Sequence, residues 1–207
     1  MPDFEWEERC RAKGHAVIAG VDEAGRGPLA GPVVAAAVVL PAGFVGEGLD
    51  DSKKLTAARR ESLCERITQD AAVRWAVSFA EAEEIDALNI LRATHAAMAR
   101  AVAGLGVEVD HCLIDGLAVP RFPWSHDGVV KGDAKSVSIA AASILAKVSR
   151  DRRMLAEAVE FPEYGFERHK GYGTKDHLAA LNQYGPCRLH RRSFQPVAQL
   201  TLPLDGA

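Results

Sequence analysis

Residues 16–28 read AVIAGVDEAGRGP: an apolar run, Ala16 to Val21, ending on two adjacent carboxylates, Asp22 and Glu23, and then an arginine between two glycines, Gly25-Arg26-Gly27. A short apolar run closed by Gly/Pro punctuation reads as a buried strand. Val33 to Leu40 reads as a second strand, closed by Pro41-Ala42-Gly43. Dense negative charge beside a cation flanked by bare backbone, within six residues, raises the question of what such a segment would hold. Neighbouring strand residues face opposite ways. Asp22 and Glu23 therefore serve one site only if the strand kinks or one of them ligates through its carbonyl.

Working outward, Thr56 is an N-cap for a helix carrying Leu63 and Ile67, and Val73, Trp75, Val77 and Phe79 alternate as in a half-buried strand. Ile85, Leu88, Leu91, Met98, Val102 and Leu105 are spaced as one long amphipathic core helix that stops near Gly104 and Gly106. Val109 to Ile114 reads as a buried strand ending at Asp115, and Gly128 to Asp133 as a short strand ending at Asp133. Ser136 to Glu160, rich in small residues, reads as a long, closely packed helix, and a short one starts near Thr174 and ends at Tyr184-Gly185-Pro186. Strands alternating with helices predict an α/β fold with a mixed β-sheet and a helical C-terminal portion.

The 207 residues suffice for one sizeable domain. With 48% hydrophobic and 26% charged residues and a mean hydropathy of −0.06, the composition is that of a soluble globular protein. No run approaches the roughly 18 apolar residues of a membrane span. The acidic N-terminus does not read as a secretory signal, and the four dispersed cysteines read as free thiols in a reducing cytoplasm. Net charge is −3, yet residues 147–192 hold ten Lys/Arg against six Asp/Glu. That surplus is either a footprint for phosphate or ordinary solvated charge.

Asp22-Glu23, Asp115 and Asp133 end three strand-like runs about 90 to 110 residues apart. They are either turn formers that never meet or one converging cluster. Converging without cations, four acids repel and raise one another's pKa. An all-oxygen set favours Mg²⁺ or Mn²⁺, and no His/Cys spacing suits zinc. Gly25-x-Gly27-x-x-x-Gly31 lacks dinucleotide-fingerprint spacing and is bracketed by Pro28 and Pro32. Cys187-x-x-His190 is half a metal motif without a partner pair and reads as a thiol beside a surface histidine; His95 reads as surface or edge packing.

Several blocks together resemble the signature segments of bacterial ribonuclease HII. They are Asp22 to Val34, Asp51-Ser52-Lys53-Lys54-Leu55, Leu113-Ile114-Asp115-Gly116, Lys131 to Ser136, Ile139 to Lys147, His169 to Thr174 and His190 to Phe194. They keep the family's order over nearly the whole chain. The resemblance implies a ribonuclease H-like mixed β-sheet flanked by helices, as one catalytic domain over residues 1–195 whose helical part begins near 147, and a flexible tail over 196–207. It implies an endoribonuclease that hydrolyses the RNA strand of RNA–DNA hybrids and incises 5′ of single ribonucleotides in duplex DNA, leaving 5′-phosphate and 3′-hydroxyl ends. By carry-over, Asp22, Glu23, Asp115 and Asp133 are the catalytic acids that bind two divalent cations, Mn²⁺ or Mg²⁺. Gly25-Arg26-Gly27 resembles the motif that reads the ribonucleotide 2′-hydroxyl. Tyr164 matches the tyrosine that packs on the following deoxyribose, and Ser52, Lys53, Lys135 and Lys170 are the implied phosphate contacts.

The chain departs from the family pattern at Leu117, where Asn is frequent, and at Cys187-Arg188-Leu189, where a small polar residue is usual. Gln199-Leu200-Thr201-Leu202-Pro203-Leu204 resembles the peptide by which bacterial repair proteins dock on the replication sliding clamp, against the alternative of a stray apolar tail. Nothing demands more than a monomer, and no membrane partner is expected. A non-catalytic binder of RNA–DNA hybrids, or another carboxylate nuclease of the same fold, are the competing readings. The first would be expected to lose an acid, and the second lacks the Gly-Arg-Gly and His-Lys-Gly-Tyr-Gly blocks.

Overall fold

The computed structural model describes residues 1–200. Its strands are β1 (Ile18–Ala24), β2 (Val33–Val39), β3 (Arg74–Ala80), β4 (His111–Asp115) and β5 (His126–Val129). Its helices are α1 (Glu5–Ala12), α2 (Ala57–Gln69), α3 (Ala82–Leu88), α4 (Ile90–Ala103), α5 (Val137–Glu160), α6 (Phe166–His169), α7 (Lys175–Tyr184) and α8 (Val197–Leu200). The strands form one mixed sheet in the order β3-β2-β1-β4-β5. β1, β2 and β3 pair antiparallel, and β1, β4 and β5 pair parallel. Among the described residues no helix is long and apolar enough to cross a membrane.

The alternation within β2 explains the two-sided core. Val33, Ala35 and Ala37 pack on one face with Ala93, Ala97 and Met98 of α4. Ala36 and Val38 pack on the other with Ala140, Ala141 and Ile144 of α5. Small residues let α5 lie directly on the sheet. A Cβ at Gly20 in β1 would stand 2.1 Å from the backbone carbonyl carbon of Ser138, so this crossing requires glycine. Thr56, Ser136 and Thr174 cap α2, α5 and α7 by accepting from the backbone N–H three residues on.

Two expectations are corrected. The long helix from Ile85 to Leu105 is two helices, α3 and α4, broken at Asn89. Asn89 has φ 68° and caps α4 by accepting from Arg92 N at 3.1 Å, because asparagine tolerates the left-handed region and its side chain bonds its own backbone. The break turns Leu88 and Leu91 out, 40% and 48% exposed, where one continuous helix would have buried them. Asp133 does not end a strand: β5 stops at Val129, Lys131 is left-handed at φ 57°, and Asp133 lies in a single 3₁₀ turn, Gly132–Ala134. The N-terminal acidic stretch forms α1. Its first turn carries Glu5, Glu7 and Glu8 and its last turn Arg9 and Arg11, which complements the helix dipole.

The C-terminal portion packs around Ala30, Met154, Tyr164, Phe166 and Leu189. Val197 is fully buried against Leu29 and Leu181, so packed chain continues past 195. Of the clamp-like peptide, Gln199 and Leu200 fall in α8, and residues 201–204 lie outside the described residues.

Candidate active site

β1 and β4 are parallel neighbours with Val21 opposite Ile114, and the next residue on each strand is an acid, Asp22 and Asp115. Gly132 N donates to Asp115 Oδ1 at 2.7 Å, which brings the turn carrying Asp133 onto the end of β4. Glu23 follows Asp22 without a break in pairing, Asp22 opposite Ala36 and Glu23 opposite Ala35. Asp22 and Glu23 both line a cleft of roughly 680 Å³; Glu23 also borders a second cleft with Asp115 and His95. Both residues reach the site because it sits at the strand end, where a side chain on either face is accessible. His95, half-buried, borders that second cleft.

Burial and mutual repulsion disfavour the ionised forms of this cluster. Asp22 is 6% exposed, and burial, then the charges of Glu23 and Asp115, push its carboxyl well above the usual range. Burial also raises Glu23, opposed by the Arg26 guanidinium 3.3 Å away. Asp133 is raised by burial and then by the charges of Asp115 and Asp51. Nearby cations remove this penalty, and an all-carboxylate donor set fits hard divalent ions.

Gly25-Arg26-Gly27 lines the cleft together with Ser52 and Lys53. Two buried arginines fix this loop. Arg191 donates from Nε to Gly31 O at 3.0 Å, from Nη1 to Arg26 O at 2.8 Å and from Nη2 to Gly25 O at 2.6 Å. Arg150 donates from Nε to Pro32 O at 3.0 Å, and from Nη2 to Ala30 O at 3.2 Å and Lys170 O at 3.0 Å. Gly25 is obligatory: its φ is 95°, and a Cβ would meet Arg150 Nε at 2.0 Å.

Not all candidate residues meet here. Tyr164 is 3% exposed, stacks on Phe166 and donates to Gly185 O at 2.7 Å, inside the C-terminal cluster. Burial pushes its hydroxyl up to about 12. It cannot pack on a sugar. The tyrosine on the cleft is Tyr172, 46% exposed, with its ring beside Gly27 and under Arg150 at 5.8 Å. Lys170 turns its Nζ back onto Glu167 O, and Lys135 is exposed; neither lines the cleft. His190, expected at the surface, is 2% exposed, with Nε2 3.0 Å from His177 Nε2 and Nδ1 3.2 Å from Cys187 Sγ.

Two of the ten basic residues in 147–192 are buried, and several others are held in ion pairs nearer the surface. Arg150 and Arg191 are buried, Arg188 pairs with Glu157 and Glu160, Arg153 with Glu157 and Arg152 with Glu61. Ser143, Lys147 and Arg150 also line the cleft, from α5. Their spacing of four and three is one helix face, a signal available in the sequence.

Sheet order, acid-ended parallel strands and helical cover define an α/β enzyme of the ribonuclease H type. A family model described as "Ribonuclease HII" matches residues 19–197. The chain is 56% identical over 201 residues to "Ribonuclease HII" of Ruegeria pomeroyi, covering 97% of this chain and 85% of that one. Its fold is similar to ribonuclease H2 from Pyrococcus horikoshii OT3, with TM-score 0.75, 26% identity, and coverage of 89% of this chain and 97% of the other. It is also similar to the structure of the PCNA:RNase HII complex from Archaeoglobus fulgidus, with TM-score 0.74, 26% identity and coverage of 87% and 96%. The chain belongs to the ribonuclease HII family.

Proposed function

We propose that this ribonuclease cleaves the RNA strand of RNA–DNA hybrids and incises 5′ of a single ribonucleotide in duplex DNA, using two divalent cations held by Asp22, Glu23, Asp115 and Asp133. The observation that carries this reading is the adjacency of buried, mutually repelling acids to a Gly-Arg-Gly loop in one cleft. Bound divalent ions there supply a water activated for attack and stabilisation of the leaving oxygen.

The chain's own residues position the strand. Glycines at 25 and 27 let backbone approach a sugar closely, and the 2′-hydroxyl distinguishes RNA from DNA. The Tyr172 ring, in place of Tyr164, packs on the deoxyribose beyond the junction. Ser52 and Lys53 contact phosphate, and Lys147, on the same cleft, adds positive charge. In hydrolysis the water oxygen bonds to phosphorus, the bond to the 3′-oxygen breaks, and that oxygen takes a proton. The products are a 5′-phosphate and a 3′-hydroxyl. Mg²⁺ and Mn²⁺ both suit the donor set. Similarity to a protein solved with PCNA supports a sliding-clamp interaction, and Gln199–Leu204 is the segment proposed to make it.

Cleavage of a duplex carrying one ribonucleotide, with Mg²⁺, Mn²⁺ or chelator, tests the reading in wild type and Asp22→Asn. Metal-dependent incision 5′ of the ribonucleotide, lost in the variant, is expected. Binding without incision by wild type would favour a hybrid-binding protein.

A further inference from the structure

Outside the acid cleft, three potential ligands from distant parts of the chain meet: Cys10, His111 and Asp127, 101 and then 16 residues apart. Their ligand atoms all lie within 4.8 Å of one another. Cys10 is on α1, His111 is the first residue of β4, and Asp127 is on β5. Asp115 ends β4 four residues further on, about 13 Å away at strand rise, so this is a different place from the nuclease cleft.

The His111 imidazole is 5% exposed and set for a ligand. Nδ1 lies 3.0 Å from Ser125 Oγ, the outer partner that orients a metal-binding histidine. Nε2 is buried with no hydrogen-bond partner, although Asp127 Oδ2 stands 3.3 Å away. His15 stacks on the ring at 4.6 Å and covers it. Cys10 is 2% exposed. The Asp127 side chain, 43% exposed, leaves an entrance, and Lys13 Nζ sits 3.9 Å from its carboxylate.

We propose that Cys10 Sγ, His111 Nε2 and an Asp127 oxygen form a binding site for Zn²⁺ or a similar borderline-soft divalent ion, with the fourth position open to water. Sulfur, imidazole and carboxylate together are a zinc-type set. At zinc bond lengths of about 2.0 Å to nitrogen and oxygen and about 2.3 Å to sulfur, tetrahedral donors of this set stand roughly 3.3–3.5 Å apart. The His111–Asp127 pair is already at that spacing, and the thiolate has at most about 1.3 Å to close. The thiolate and the carboxylate neutralise the ion. The site ties α1 to the parallel edge of the sheet.

Co²⁺ reports the site directly, because only a thiolate ligand yields the intense near-ultraviolet charge-transfer band. In reduced, metal-stripped full-length protein, one equivalent of Co²⁺ is expected to produce this band. Zn²⁺ bleaches it, and excess Mg²⁺ does not. The band persists in Asp22→Asn, which separates it from the acid cleft, and in Cys187→Ser, which separates it from the Cys187–His190 pair. It is lost in Cys10→Ser, and the surface variant Asp127→Asn weakens Co²⁺ binding about tenfold or more. No band in folded wild type, or an unchanged band in folded Cys10→Ser or Asp127→Asn, overturns the proposal.

Discussion

Arg191 Nη2 donates to the carbonyl of Gly25 at 2.6 Å, across 166 residues of chain. That bond, with those to Arg26 and Gly31, makes a fully buried cation the anchor of the loop that lines the cleft. Replacing Arg191 by Ala leaves three loop carbonyls without their donor, at about 1–3 kcal/mol for each one that stays buried and unsatisfied. A loss of about 3 kcal/mol corresponds to a Tm lower by roughly 6–12 °C for a chain of this size. Lysine restores little, because one ammonium cannot reproduce the guanidinium fork. Thermal melts of both variants check this; a Tm unchanged in Arg191→Ala would remove the arginine from any role in holding the loop.

Tyr172 and Tyr164 are separated by one substitution each. Tyr172→Ala removes an exposed ring from the cleft, so stability changes by less than about 1 kcal/mol. The lost stacking surface, worth about 1–3 kcal/mol by analogy with base–aromatic contacts, raises KM about fivefold or more. Tyr164→Phe removes the 2.7 Å bond to Gly185 O, costs about 1 kcal/mol of stability and leaves KM unchanged. Steady-state cleavage of a single-ribonucleotide duplex, paired with melts, decides the assignment. The opposite pattern would return the sugar contact to Tyr164.

Asp22 and Asp115 were legible as strand-end acids because apolar runs precede them, whereas Asp133 lies in a 3₁₀ turn and the grouping of the four acids came from the family resemblance and not from spacing. Tyr172 was missed because both tyrosines lie in glycine-punctuated turns, where periodicity gives no inside or outside. The break at Asn89 was hidden because three- and four-residue spacing survives a kink that rotates the helix face. Ser143, Lys147 and Arg150 show the reverse. Their helical spacing marked one face of α5, but small apolar residues around them read as packing. Clustering of Cys10, His111 and Asp127 left no local spacing at all, since tertiary structure alone joins α1 to β4 and β5.

The carboxylates set a pH dependence whose sign is determined. Asp22, Glu23 and Asp133 have folded-state pKa values raised above their ordinary ones. Between the ordinary and the raised values the folded state holds more protons than the unfolded chain, so stability falls as pH rises through that window. In metal-free protein Tm is expected to decline from the ordinary carboxylate range toward neutrality. Asp22→Asn flattens that decline while abolishing cleavage, and added Mg²⁺ or Mn²⁺ raises Tm near neutral pH in wild type more than in the variant. Melts in chelator across pH test it; a Tm rising with pH over this window would mean that the acids do not repel.

Glu7 joins the unanticipated α1 to the start of α5. Its Oε1 accepts from Ser136 Oγ at 2.6 Å, Ser138 Oγ at 2.6 Å and Ser138 N at 2.9 Å, and the residue is 2% exposed. A carboxylate here meets the positive end of a 24-residue helix. Glu7→Ala removes a charged acceptor from three donors and is expected to cost about 2–4 kcal/mol. Glu7→Gln keeps an acceptor oxygen but loses the charge, and its cost falls between wild type and alanine. Because α5 carries Ser143, Lys147 and Arg150 to the cleft, cleavage by Glu7→Ala should fall off at a lower temperature than in wild type, in step with Tm, while KM well below that temperature stays unchanged. Melts and temperature-dependent cleavage of the same preparations check both. A raised KM with unchanged Tm would show that Glu7 acts on the cleft itself and not through the seating of α5.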